Sequence, residues 1–99
     1  MNREAFISWE YNEDEDCYLI AHLWVPADQR GKGIGRNLLR EAIDEMRQEG
    51  RASVIKLAAD SESEDPENPI DLADLVEFYE SEGFGIEYAG EIVAMSMDI

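Results

Sequence analysis

Half of the basic residues of this chain sit in one short stretch. Arg30, Lys32, Arg36 and Arg40 are four of the eight lysines and arginines among 99 residues, and no acidic residue stands between Asp28 and Glu41. Across the whole chain acids outnumber bases by 24 to 8, so this stretch inverts the local sign of charge. Gly31, Gly33 and Gly35 alternate through it. Glycine lets a backbone approach a ligand closely and adopt positive φ. Apolar residues then recur at helical spacing, at Ile34, Leu38, Leu39, Ala42, Ile43 and Met46. The loop therefore opens a helix, and the first amides of a helix have no partner within it and carry partial positive charge. The chemistry this suits is anion binding, because a phosphate placed there collects several main-chain hydrogen bonds at once. Arg36 and Arg40 are one helical turn apart, a like-charge spacing that costs about a few tenths of a kcal/mol. A local rule broken beside a glycine loop marks a site. The plain alternative is a strand–loop–helix connection whose basic residues balance nearby carboxylates. The loop is no P-loop, since no Gly-Lys-Ser/Thr closes it, and its Gly-x-Gly-x-Gly spacing is not that of a dinucleotide fold.

The elements that must position this loop follow from periodicity and punctuation. Residues 5–9 read as a first strand, 12–16 as an acidic turn and 17–25 as a longer strand rich in aromatic and branched residues. Two such runs around a short turn predict an antiparallel hairpin. Pro26 ends the second strand, and Gly50 stands where the helix from Ile34 should be capped. Residues 53–59 read as a strand, and 60–69 as an acidic loop with two prolines. Asp71 is a credible N-cap for a second helix, whose face carries Leu72, Leu75, Val76 and Tyr79 and whose end is followed by Gly83. Short strands near 86–88 and 92–97 close the chain. The order β-β-α-β-α-β-β predicts a single α/β (α+β) domain over residues 1–99, with two helices on a mixed, mostly antiparallel sheet. The strands before and after the first helix should lie side by side through a right-handed crossover.

Composition narrows the partners. The net charge of −16 argues against general nucleic-acid binding, which needs phosphate-contacting cations. The acidity fits a well-solvated surface, a field that steers cationic substrates, or a surface complementary to a basic protein. One cysteine, Cys17, and one histidine, His22, build neither a disulfide nor a zinc site without several carboxylates. No apolar run is long enough for a membrane span and none near the start makes a signal peptide, so a cytoplasmic protein is expected.

Two segments carry a family resemblance. The run Leu23-Trp24-Val25-Pro26, followed by Arg30-Gly31-Lys32-Gly33-Ile34-Gly35-Arg36, resembles the acetyl-CoA motif Arg/Gln-x-x-Gly-x-Gly/Ala of the GNAT superfamily of N-acetyltransferases. Later, Phe78-Tyr79-Glu80-Ser81-Glu82-Gly83-Phe84 resembles that family's Phe-Tyr-x-x-x-Gly-Phe at a helix end. The resemblance implies acetyl-CoA as cosubstrate. It implies that the main chain of Leu23, Trp24 and Val25 bonds the pantetheine arm, and that the amides from Arg30 to Arg36 hold the pyrophosphate. It further implies that Phe78 lines the cofactor or fills the core, and that Tyr79 protonates the departing thiolate. Two departures from the family pattern are expected: too few residues precede the second strand for the helices that cover the acceptor site, and Leu72 stands where the family has an asparagine. The acceptor side is then open, or completed by a second subunit or by the acceptor itself. In length and in its acidic middle loop the chain is also similar to short viral acetyltransferases that inactivate CRISPR nucleases.

Other candidates for chemistry are fewer. His22 is the sole histidine, but strand alternation turns it away from the side of Leu23 and Val25, unless a bulge reverses the faces. Asp60 and Glu62 are alternative bases or substrate anchors, and Cys17 reads as a small buried residue. The function these readings imply is transfer of acetyl from acetyl-CoA to an amine, a protein lysine or another cationic amine, by direct attack on the thioester. The alternatives are a non-catalytic acidic module of the same fold, or a viral-type inactivator that acetylates a host nuclease.

Overall fold

The computed structural model describes residues 4–60 and 71–99. Strand β1 (Phe6–Asn12) and strand β2 (Cys17–Trp24) form an antiparallel hairpin. A short 3-10 turn (Ala27–Gln29) leads into helix α1 (Ile34–Glu49). Strand β3 (Val54–Ala59), helix α2 (Leu72–Ser81) and strands β4 (Gly85–Ala89) and β5 (Val93–Asp98) follow. The sheet order is β1-β2-β3-β5-β4, with β2 and β3 parallel and every other neighbour antiparallel. The expected element order holds, and the strands flanking α1 are neighbours, as a βαβ step requires. β1 runs three residues beyond the expected strand end. Tyr11 packs edge-on against Tyr18 across the hairpin at 5.8 Å, its hydroxyl donates to Asp16 Oδ1 at 2.7 Å, and Asn12 Oδ1 accepts from the Glu15 amide at 3.1 Å. Of the expected acidic loop at 60–69, all but Asp60 lies outside the described residues.

Both helices contribute to one core. Leu39, Ala42, Ile43 and Met46 from α1 and Tyr79 from α2 join Tyr18, Ile20, Ile55, Leu57, Ala59, Phe84, Val93 and Met95. α1 supplies four buried residues at helical spacing, and Gly50, in the left-handed region at φ 68°, ends it by donating its amide to the Met46 carbonyl at 3.0 Å. Truncating the fully buried Leu39 to alanine would cost about 2–5 kcal/mol, a large share of a domain's total stability of roughly 5–15 kcal/mol. The buried Tyr18 keeps its hydroxyl satisfied: it donates to Glu49 Oε1 at 3.3 Å and accepts from the Arg51 amide at 3.0 Å. On the other sheet face Leu19, Lys56, Ala58, Ala94 and Ser96 are not buried, whereas Cys17 and Trp24, at the two ends of β2, are.

Two irregularities of β2 shape the site. First, Ser8 pairs with His22 but Trp9 pairs with Ile20, so β2 carries one extra residue at Ala21. Such a bulge shifts the alternation of faces. Tyr18 and Ile20 before it and Leu23 after it consequently all turn toward the helices. Second, the β2–β3 ladder stops at Ile20↔Leu57, although β2 continues to Trp24 and β3 to Ala59. The two strands part beyond that point, on the side where α1 begins.

Candidate active site

A cleft of about 620 Å³ opens beside the end of β2. Its walls come from three elements. The end of β2 gives Leu23 and Val25, the loop and first turn of α1 give Gln29, Arg30, Gly31, Gly33, Ile34, Gly35 and Arg36, and α2 gives Asp74, Leu75, Phe78 and Tyr79. Ten of the twelve site residues expected from sequence thus surround one space.

The start of α1 is bare. Gly33 is the N-cap residue at φ 81°, no side chain caps the helix, and no acidic residue occupies its first turn. The first helical hydrogen bond is Asn37 N–H to the Gly33 carbonyl at 3.0 Å, so the amides of Ile34, Gly35 and Arg36 precede the ladder. Gly31 and Gly33 share the same left-handed φ of 81°, and nothing lies within 4 Å of where their Cβ atoms would be. Gly35 has a different task. A Cβ there would stand 3.3 Å from Val25 Cγ2 and 3.9 Å from Phe78 Cζ, so this glycine lets α1 close against the strand end and α2.

Arg30 turns its side chain back, its Nε donating to the Val25 carbonyl at 3.1 Å, which ties the loop to the end of β2. Tyr79 is buried, set edge-on between Phe78 at 5.2 Å and Phe84 at 5.7 Å. Two expected residues stand off the cleft wall. Trp24 faces the opposite side of β2, buried outside the main core with its ring 6.2 Å from Phe6, and Lys32 is exposed at the crest of the loop. What these two have to offer a ligand is main chain. His22 is exposed and does not line the cleft, nor does Asp60, and Glu62 lies outside the described residues. Cys17 is buried; desolvation first, and then its hydrogen bond to Glu15 at 3.7 Å, push its thiol above the ordinary range, the opposite of an activated nucleophile.

Sequence reasoning missed Gln29, Asp74, Leu75 and, most of all, Glu82. The Glu82 carboxylate pairs with Arg36 at 3.3 Å and with Arg40 at 2.8 Å. The two arginines that looked like an uncompensated repulsion share a carboxylate from the end of α2. Asp74 and Leu75 could have been found from helical spacing, since Asp74 falls four residues before Phe78 and Leu75 four before Tyr79.

Residues 1–56, more than half of the chain, match the family model for GCN5-related N-acetyltransferases. The chain belongs to that family. Solved N-acetyltransferases share its fold. The PaiA N-acetyltransferase from Thermoplasma acidophilum, solved in complex with coenzyme A, is similar with a TM-score of 0.73 at 21% identity, over 97% of this chain and 54% of that one. The ribosomal-protein-S18-alanine N-acetyltransferase from Escherichia coli gives 0.72 at 22% identity, over 97% and 61%. A GNAT-family acetyltransferase from Elizabethkingia anophelis with acetyl-CoA bound gives 0.74 at 14% identity, over 99% and 70%. No curated protein matches the sequence. This GNAT chain thus spans little more than half the length of the first of these structures, and the likeness is one of fold. Among the described residues no helix is long and apolar enough to cross a membrane.

Proposed function

We propose that the cleft binds acetyl-CoA and that the protein transfers the acetyl group to a cationic amine. The observation that carries this reading is the bare start of α1 opening onto the same cleft whose inner wall holds Tyr79. The donor set fits a diphosphate. Three main-chain amides, two glycines in the left-handed region with open space above them, and a helix end without its own acid together make an anion cradle. The walls beyond it fit an extended, mostly apolar arm, since Leu23, Val25, Leu75 and Phe78 line them.

The bound thioester supplies an activated acetyl carbonyl. In this reading a neutral amine attacks it directly, the C–N bond forming as the C–S bond breaks. Tyr79 Oη gives its proton to the leaving sulfur, and the proton shed by the acylated nitrogen passes through water and restores the tyrosine hydroxyl. The parted edge of β2 offers main-chain groups to orient the arm, and holding both reactants in one slot supplies much of the rate. The net charge of −16 favours an acceptor that is cationic. Among the described residues no helix covers the second sheet face, which leaves room for a large acceptor and favours a lysine on a protein over a small polyamine.

Isothermal titration with acetyl-CoA tests the first half of this proposal. Saturable binding is expected, and none at millimolar concentration ends it. Tyr79→Phe tests the second half. Turnover with an amine acceptor should fall about 100-fold, within the usual range for a lost general acid, while acetyl-CoA affinity stays within about twofold. An unchanged rate would remove the tyrosine from the reaction.

A further inference from the structure

Arg36 lines the cleft, yet it is not wholly available to a ligand there. Its Nε lies 3.3 Å from Glu82 Oε2. Glu82 stands outside the cleft, in an adjoining hollow that also contains Arg40, Asp44 and Arg47, and its side chain is only 4% exposed. Arg40 alone satisfies both carboxylate oxygens, Nε donating to Oε1 at 2.8 Å and Nη2 to Oε2 at 3.4 Å. The contact with Arg36 is thus a further one, to a carboxylate already held by a neighbouring arginine. Arg36 itself is half exposed and divided between that carboxylate and the cleft.

An anion in the cleft competes with Glu82 for the same guanidinium and is repelled by the same negative charge. We propose that Glu82 is an internal competitor that lowers the affinity of the cleft for the diphosphate of coenzyme A, and so hastens release of the spent cofactor. The inference rests on the cofactor reading above and deepens it. Product release limits the rate of many enzymes, and differences in affinity act mostly through the rate of release. Glu82 lies 46 residues beyond Arg36 in the chain, on the element that forms the opposite wall of the cleft.

The test compares coenzyme A with acetyl-pantetheine, which lacks every phosphate. Titrations are run on the wild type, E82Q and E82Q/R40Q. The double variant keeps the net charge of the wild-type cluster and removes the repulsion between adjacent arginines, while Arg36 is released. E82Q/R40Q should bind coenzyme A about threefold to tenfold tighter than the wild type, the scale of one charge-assisted contact regained. E82Q should bind at least as tightly, with a steeper salt dependence. Acetyl-pantetheine affinity should stay within about twofold throughout, a split that damage to the fold would not produce. Should E82Q unfold, the double variant carries the test. E82D, which withdraws the carboxylate by one methylene, is the milder third variant, expected to tighten coenzyme A by a smaller factor. Unchanged or weaker coenzyme A binding by the folded variants, or tightening of both ligands in step, overturns the inference alone. A wild type that binds no coenzyme A overturns the cofactor reading beneath it.

Discussion

The two helices of this protein begin in opposite ways. α2 starts on Asp71, whose side chain accepts from the Ala73 amide at 2.9 Å, and carries Asp74 in its first turn, so its positive end is met by its own carboxylates. α1 starts on a left-handed glycine, with no side-chain cap and with Arg36 where an acid would be favourable. The difference follows from packing. α1 is 16 residues long and anchors four buried side chains, whereas α2 is 10 residues long and buries one, Tyr79. The helix with packing to spare tolerates an uncapped end, and the helix without it completes its own hydrogen bonds.

Three substitutions break or sharpen this contrast. The largest effect is expected from Gly33→Asp, which gives α1 an anion of its own at a residue type that tolerates the left-handed region. Coenzyme A affinity should fall about 100-fold or more by titration, while the melting temperature falls by no more than about 8 °C, the shift for roughly 1 kcal/mol in a domain of this size. Retained affinity would show that the bare end is not the anion site. Asp71→Ala acts in the reverse sense. It should destabilise the fold by about 1 kcal/mol, read as a lower melting temperature, and leave coenzyme A affinity within about threefold. The smallest effect belongs to Asp74→Asn, which removes a carboxylate from the cleft wall. Coenzyme A should bind up to about threefold tighter at low ionic strength, and the gain should disappear near 0.5 M salt, where the screening length is only about 4 Å.

Much of this was legible in the sequence, and the rest was hidden for identifiable reasons. The bounds of α1 could be read because glycine marks both ends and apolar residues repeat between them. The Asp71 cap was legible because it precedes an apolar helical face. The end of β1 was not, since Glu10 breaks the apolar run and Asn12 reads as the first turn residue until the contact of the Tyr11 and Tyr18 rings across the hairpin is counted. The bulge at Ala21 leaves no mark, having neither glycine nor proline, yet it is what places Leu23 on the side of Tyr18 and Ile20. The three loop glycines look alike in the sequence and divide in the structure, two serving backbone conformation and one serving close approach. The pairing of Glu82 with Arg36 and Arg40 joins segments more than forty residues apart, and no local pattern announces it.

The one-sided arrangement of the core carries a consequence for handling the protein. Among the described residues no helix packs on the second sheet face, whose central residues are partly exposed, and mutual repulsion between strongly anionic molecules opposes association through it. Colloidal behaviour should therefore follow acidity and ionic strength more closely than folding does. Dilute neutral buffers should keep the molecules apart, and acidification that strips the carboxylates of charge should bring on turbidity.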